Sequence, residues 1–515
     1  MKSFTHSLPC WALAATLLGT VPALAQGAQP AAIAPVPALL APATVSPPPL
    51  TPKRDIVQSR FTGVNAALLR HLEAGTVTRV RLDMFGQGEH TLVFTDREDH
   101  GTGRFALIGE LEGISPSRTV LAVWDGAVTV SAHAHAQHTV RLRNAGNGGF
   151  WLEEFDAAAQ GGVCGNDDRK IPIERAAEKK RPQPAGQPRP AGGDGNSWLD
   201  LYACYTPQAQ AAAGGSAGIA SAILAHVATA NSVHATSGTR LRMRLLGIYP
   251  VLNYDESGYI DTDLDRIENG TDGYMDDMVT AADERGADLV HLFVNEQGIL
   301  DDGGKGPNHS VIGQAGLPGR FGVTKWDAPD LVFSHETGHN LGCRHQSAND
   351  SGGTIEHAWE ATHDWHDPLF GSFLYTSKAE TVRWAAALDT MVGRFSNPDN
   401  TVLFTDPILP NVSVPLGDAN SANNSLFVAT HRQDTVLRKN PVFYVAPGAD
   451  GQAAPMSPAN NLGSVFNDWY VNTQADPAKS AVVRDFTGNY PAPGRITTRS
   501  RIEKYGEAGS AHFGP

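Results

Sequence analysis

One stretch constrains this chain more than any other: His335-Glu336-Thr337-Gly338-His339-Asn340-Leu341-Gly342-Cys343-Arg344-His345. Its pattern is H-E-x-x-H-x-x-G-x-x-H. On an α-helix, His335 and His339 stand one turn apart on the same face. Two imidazoles so placed can reach one Zn²⁺ at roughly 2.0–2.1 Å each. Glu336 sits between them, where it can take a proton from water rather than bind the metal. Gly342 can adopt φ > 0, which would end the helix and turn the chain back. His345 then completes a three-histidine set with a fourth position open. The competing reading is a surface helix with solvated histidines. It must place three His, one Glu and one Gly at fixed offsets by accident, in a chain where His is 19 of 515 residues.

Charge narrows the partners. The formal net charge is −14 and no long basic run is present. Nucleic acid is therefore not an expected partner, and no basic membrane-surface helix is evident. The length leaves room for two or three domains.

The N-terminus reads as a secretory signal over residues 1–25. Lys2 supplies the positive region, residues 11–21 are apolar, and Ala23-Leu24-Ala25 offers small residues before a cut at Gln26. As a membrane anchor the apolar run is too short. No later segment reads as long and apolar enough to span a bilayer. The mature protein is thus expected to be secreted, extracellular or periplasmic, without stable membrane association. After that cut Cys164, Cys204 and Cys343 remain. Their odd number leaves at least one thiol free, or bonded to another chain or a metal, and leaves the pairing open.

Composition divides the rest. Residues 26–55 are Ala/Pro-rich and read as an extended linker without a packed core. Residues 56–165 read as a small β-rich domain. Strand alternation is seen at residues 76–82, 90–94, 118–124, 127–132, 139–143 and 149–152. Asp125-Gly126 is a two-residue hairpin signal. His133, His135 and His138 read as a polar strand face rather than a metal site. Residues 166–197 form a second linker, basic at Lys179-Lys180-Arg181 and rich in Pro and Gly. An exposed tether of this kind is where processing would cut.

From Trp198 the pattern becomes α/β. Strands are expected at residues 199–206, 239–249 and 289–294, and a long Ala-rich helix at 208–232. Residues 320–325 read as an edge strand above the metal, with the active helix over 328–341. The acidic run of residues 255–277 invites calcium, but its spacing does not match an EF-hand loop, and it reads as a solvated helix face and loop. His357, His363 and His366 read as loop residues. Met391 can lie as an apolar floor beneath the metal, and Phe395-Ser396-Asn397-Pro398 follows it. A closing helix is expected to end near Arg438. Residues 439–515 are a C-terminal extension to which no role can be assigned.

The chain resembles the metzincin zinc endopeptidases, whose signature is this motif followed by a Met-turn. It is similar above all to the bacterial reprolysin-like, peptidyl-Asp metalloendopeptidase group. Tyr205-Thr206-Pro207, Ala228-Thr229-Ala230-Asn231, Arg240-Leu241-Arg242-Met243, Asp272-Gly273-Tyr274-Met275-Asp276, Gly286-Ala287-Asp288-Leu289-Val290 and Phe395-Ser396-Asn397-Pro398 carry the likeness. The resemblance implies an α/β (α+β) metzincin-type catalytic domain over residues 198–438. That domain has a twisted, mixed but mostly parallel sheet and an active-site helix, and a β-rich propeptide domain precedes it. It implies one Zn²⁺ on His335, His339 and His345, Glu336 as general base and Met391 as the Met-turn residue. Cys164-Gly165-Asn166-Asp167-Asp168 resembles the Cys-Gly-x-x-Asp core of a cysteine switch, in which Cys164 would block the open position in a zymogen; the alternative is an ordinary loop cysteine. The implied activity is hydrolysis of peptide bonds in proteins or peptides. The alternative is an inactive zinc-binding pseudo-protease acting as a binding module. Two features depart from the family. Gln346 stands where Asp usually follows the third His, and no Tyr lies two residues after Met391. A preference for Asp would want a cation, and Arg320, Lys325, Arg383 and Arg394 are candidates.

Overall fold

A computed structural model describes residues 35–50, 56–134, 138–155, 162–164, 197–237, 239, 241–284, 287–295, 298–299, 310–317, 319–329, 331–341, 343 and 394–395, and traces short strands beyond residue 359. The chain divides into Met1–Val36 and Pro37–Pro515, and all that follows concerns the second unit.

The N-terminal half is an antiparallel meander. Its strands are β1 (Leu40–Ala41), β2 (Ile56–Val64), β3 (Arg79–Asp83), β4 (Glu89–Asp99), β5 (Arg104–Leu111), β6 (Ser117–Trp124), β7 (Ala127–Ala134), β8 (His138–Asn144) and β9 (Phe150–Phe155), in the spatial order β1-β2-β9-β8-β7-β6-β5-β4-β3. Asp125 and Gly126 both take positive φ between β6 and β7, as a two-residue hairpin with φ > 0 at both central positions requires. Helix α1 (Ala66–Glu73) is capped by the Asn65 side chain, which accepts from the Leu68 N–H at 3.1 Å, and it buries Leu68 and Leu72.

The Ala/Pro-rich segment corrects the linker expectation. Leu39 N–H donates to Arg81 O at 2.9 Å and Arg81 N–H to Pro37 O at 2.8 Å, on β3. Leu40 and Ala41 pair with Val64 and Gly63 of β2. One short segment thus joins both outer strands and closes the sheet on itself, which removes exposed edges. Leu39 is fully buried among Leu72, Val80, Leu82 and Leu152.

Strands β5 and β6 are apolar on both faces. Phe105, Leu107, Leu121 and Val123 point into the barrel core. Ala106, Ile108, Val120 and Ala122, which alternate with them, belong to a second core shared with the C-terminal half. The period of two sends each set to an opposite side.

The C-terminal half is built on a mixed sheet. Its strands are β10 (Gly162–Cys164), β11 (Ser197–Tyr205), β12 (Leu241–Pro250), β13 (Leu289–Val294), β14 (Gly298–Ile299), β15 (Ser310–Ala315) and β16 (Phe321–Lys325). The order is β10-β15-β16-β13-β11-β12, with β14 also on β15. Pairings β11–β12, β11–β13, β13–β16 and β10–β15 are parallel, whereas β15–β16 is antiparallel. Two expectations change here. Phe321–Lys325 is an interior strand, and the strand beyond it is β15, whose short Ser-Val-Ile-Gly-Gln-Ala sequence carries little strand signal. Cys164, expected at the end of the β-rich domain, lies on β10, which joins the C-terminal sheet.

Register in this sheet is pinned by a buried charge pair. Asp200 of β11 lies opposite Arg244 of β12, and its carboxylate accepts from Arg244 Nε at 2.7 Å. The pair is 0% and 1% exposed, so losing one partner would cost roughly 3–5 kcal/mol.

The expected Ala-rich helix is two. Helix α2 (Pro207–Ala212) follows the Thr206 cap, and α3 (Ser216–Thr236) begins after Gly214 and Gly215, both at positive φ. Helix α3 is long and apolar enough to cross a membrane by length and composition, contrary to the expectation that no such segment exists; 83% of its apolar 18-residue stretch is buried inside the fold. The acidic segment forms α4 (Ile260–Glu268) and α5 (Asp276–Glu284). The active helix is α6 (Val332–Asn340). His363 and His366, expected in a loop, fall in a strand traced over Glu360–Asp367. Asp389–Met391 is likewise a traced strand, so Met391 is placed by its backbone. His135, Gly342, His345, Gln346, His357 and Arg383, with residues 1–25 and the expected closing helix, lie outside the described residues.

Candidate metal centre

Helix α6 is buried along its whole length. Several of its polar groups find partners within the helix or on neighbouring elements. Thr337 Oγ1 donates to Phe333 O at 3.0 Å, one turn back. Asn340 Nδ2 donates to Gly316 O at 3.2 Å and Phe321 O at 2.9 Å, which fastens the helix to the β15–β16 connection. Cys343 N–H donates to Gly338 O at 2.9 Å. That is the six-to-one bond of a Schellman close. Phe395 packs against Gly338, where an added Cβ would meet its ring at 3.2 Å. Phe395 N–H in turn donates to Ser237 Oγ at 2.9 Å, just past α3.

The helical spacing delivers its two histidines together. His335 Nε2 and His339 Nε2 are 2.9 Å apart, with the rings nearly perpendicular. His339 Nδ1 lies 2.7 Å from Cys343 O. A carbonyl can only accept, so Nδ1 carries the proton and Nε2 presents its lone pair to the site. Glu336 is fully buried on the same helix.

The third member comes from β10. Cys164 Sγ is 3.4 Å from His339 Nε2 and 3.8 Å from Glu336 Oε2. The ligand atoms of Cys164, His335 and His339 all lie within 4.8 Å of one another. A tetrahedral Zn²⁺ with roughly 2.0–2.1 Å bonds to nitrogen and 2.3 Å to sulfur would set N···N near 3.3 Å and N···S near 3.5 Å. The His335–His339 and Cys164–His339 separations, 2.9 and 3.4 Å, are within a few tenths of an ångström of these values, and Cys164 and His335 lie within 4.8 Å, so the donor set is compatible with a zinc ion. His345 lies outside the described residues, as does any contribution from it.

A bulge aims the cysteine. Val163 pairs with Val311 but Cys164 with Gly313, so β15 carries one extra residue against β10. Such bulges re-aim side chains beside functional sites. Gly313 is also required by space. A Cβ there would come within 2.5 Å of Glu336 Oε1 and 2.8 Å of Val332 Cγ1. Sequence reasoning missed Gly313 and Asn340. A glycine inside a short strand is the signal for close approach that could have found the first.

The other histidines of this half do separate work. His291 Nε2 is 2.8 Å from Thr324 Oγ1, and its ring meets Phe333 edge-on. Burial, with His226 adding repulsion, lowers its pKa to about 3. Burial, with Arg242 adding, does the same to His234. Both are held neutral inside the core. His133 Nδ1 lies 2.9 Å from Thr139 Oγ1, across the β7–β8 pair. Among the described residues, the acidic segment brings no metal-binding group together.

Comparison with known proteins follows the same geography. The model of metallo-peptidase family M12, reprolysin type, matches residues 195–367. A peptidyl-Asp metalloendopeptidase of Stenotrophomonas maltophilia K279a is 34% identical over 24% of this chain and 28% of its own. One from strain R551-3 is 31% identical over 38% of this chain and 43% of its own. A third, from Xanthomonas campestris pv. campestris, is 25% identical over 61% of this chain and 68% of its own. The chain thus spans less than half the length of the two Stenotrophomonas relatives. The matched segment carries both helix histidines, Glu336 and the strand over which they sit. Residues 195–367 are thus similar to the reprolysin-like metallopeptidases of family M12.

Proposed function

We propose that this chain is an exported zinc-dependent endopeptidase made in a latent form. The observation that carries the proposal is the convergence of Cys164, His335 and His339 beside the buried carboxylate of Glu336. The two histidines and His345 would hold the ion in the working enzyme, and Cys164 would hold its fourth position before activation. A zinc ion held by these residues would supply Lewis-acid chemistry to a scissile carbonyl and to water, whose pKa it can bring toward about 7. Glu336 takes the proton of the attacking water and returns it to the leaving amine. Met391 would lie beneath the ion.

The edge of β15 is where an extended peptide would add as a further strand. β10 already lies on that edge, which supports the latent state: the chain's own strand stands in the substrate's place. The relatives are named for peptidyl-Asp bonds, and a matching preference here would rest on a cation near the cleft. Arg320 donates to Ala287 O at 2.9 Å and Lys325 pairs with Asp327 at 3.3 Å, so both are committed elsewhere. Arg383 and Arg394 are then the residues to test. The signal-like N-terminus supports export, and the Pro/Gly-rich linker of residues 166–197 supports processing there.

The test is Glu336→Ala in the activated enzyme. It should retain about one zinc per chain and lose casein hydrolysis by at least about a hundredfold. Full hydrolysis by that variant would refute the assignment.

A further inference from the structure

We propose that the N-terminal barrel is a lasting structural half of the enzyme and stays bound to the C-terminal half after the linker between them is cut. The inference does not depend on the zinc chemistry. It rests on helix α3, which has no solvent face of its own. Gly218, Ser221, Ala222 and Ala225 recur at three- and four-residue spacing and face the barrel. Gly218, Ala222 and Ala225 line one cavity there together with Thr129, Ser131 and Arg141. Ser221 Oγ lies 2.9 Å from Thr129 Oγ1, both buried. One turn past Ala222, His226 lines the same cavity and joins α3 to the C-terminal half: its Nε2 lies 3.0 Å from Trp326 O and its ring stacks on Phe293 of β13. Asn231 touches both halves. Its Nδ2 donates to Glu98 Oε1 of β4 at 2.7 Å and to Met243 O of β12 at 2.9 Å. A helix apolar all round needs cover all round, and here the barrel supplies half of it.

The rest of the contact is equally specific. Arg141 is 7% exposed, and its two terminal nitrogens donate to Asp327 O and Ala328 O at 2.7 Å each, in the segment that leads into α6. At the barrel's β8–β9 turn, Gly146 meets Gly214 so closely that a Cβ on Gly214 would lie 2.5 Å from Gly146 N. Asn144 Nδ2 donates to Gly214 O at 3.3 Å. Strand β10, by contrast, is held by three residue pairs on one edge. The barrel is therefore the firmly held part and the Cys164 strand the weakly held one. Departure of the barrel would leave the small-residue face of α3 and the outer faces of β5 and β6 as exposed apolar patches.

The experiment places a specific protease site within residues 170–190 of the full chain, cuts it, and runs size exclusion in native buffer. The two fragments should co-elute at the volume of the uncut protein and unfold in one transition. Elution of the barrel fragment by itself would overturn the proposal, whether the remainder stays folded or aggregates. Arg141→Gln in the cut protein should speed fragment dissociation by at least about tenfold, as expected for losing charged donors to two carbonyls. An unchanged dissociation rate would overturn the assigned interface.

Discussion

Cys164 Sγ lies 3.4 Å from His339 Nε2, although 175 residues separate them in the chain. A parallel three-residue pairing with β15 and a bulge at Gly313 bring the sulfur there. If this contact is the latch of a latent enzyme, Cys164→Ser should release it. A hydroxyl is a far weaker zinc ligand than a thiolate. The uncut variant should hydrolyse a fluorogenic peptide at least about tenfold faster than the uncut parent, because a larger fraction of molecules is competent. Equal rates would dismiss the latch.

Gly313 offers a test that leaves the metal ligands untouched. Its missing side chain makes room for the Glu336 carboxylate and for Val332. Gly313→Val should push Glu336 off its position and lower turnover of the activated enzyme by about a hundredfold or more, the worth of a general base. Zinc content should not change. Loss of zinc together with activity would instead mean that the strand supports the ligands.

If the chain is made latent, two grips of unequal strength would make its activation a two-step event. A chain nicked only within residues 165–196 keeps Cys164 joined to the barrel through residues 156–161, and the barrel stays on α3. That protein should remain latent. A second engineered cut within residues 156–161 should let the short Cys164-bearing peptide leave and activity appear. Full activity after the linker cut alone would contradict this order.

Buried neutral histidines set an acid limit. His291 and His234 are each lowered from an ordinary value of 6.5 to about 3, chiefly by burial. Between those values the unfolded chain binds protons that the folded chain refuses. Their contribution is present above about pH 6.5 and is lost as pH falls through the window toward 3. His291→Gln, which retains a donor for Thr324, should reduce the slope of stability against pH there by roughly 1.4 kcal/mol per pH unit. Denaturant unfolding between pH 4 and pH 6 measures it, and an unchanged slope would remove His291 from the account.

The site was legible where chemistry and local geometry coincide. Helical spacing alone puts His335 and His339 on one face, and the structure brings their Nε2 atoms within 2.9 Å. The hairpin at Asp125-Gly126 was legible for the same reason, since two positive-φ positions need those residue types. What was hidden depends on contacts distant in sequence. Ser310–Ala315 is short and holds a glycine, so it does not declare itself as the strand beyond Phe321–Lys325, and the sequence pattern points to Phe321–Lys325 as the edge instead. Strand β5 has no polar alternation because both of its faces are buried, one in the barrel and one against α3. Leu39 and Leu40 sit in an Ala/Pro-rich run whose composition says linker, and only the two open edges of the barrel explain why they pair. The division of the Ala-rich helix was visible in Gly214-Gly215. Its reason, the close approach of Gly146, was not.

The central claim is that Cys164 and the α6 histidines share one zinc ion in the uncut protein. Zinc-edge X-ray absorption on the full chain reads this directly. One sulfur scatterer at about 2.3 Å should accompany nitrogens at about 2.0–2.1 Å, and the sulfur shell should vanish in Cys164→Ser while the nitrogens stay. A shell of nitrogen and oxygen alone in the unaltered chain would contradict the account.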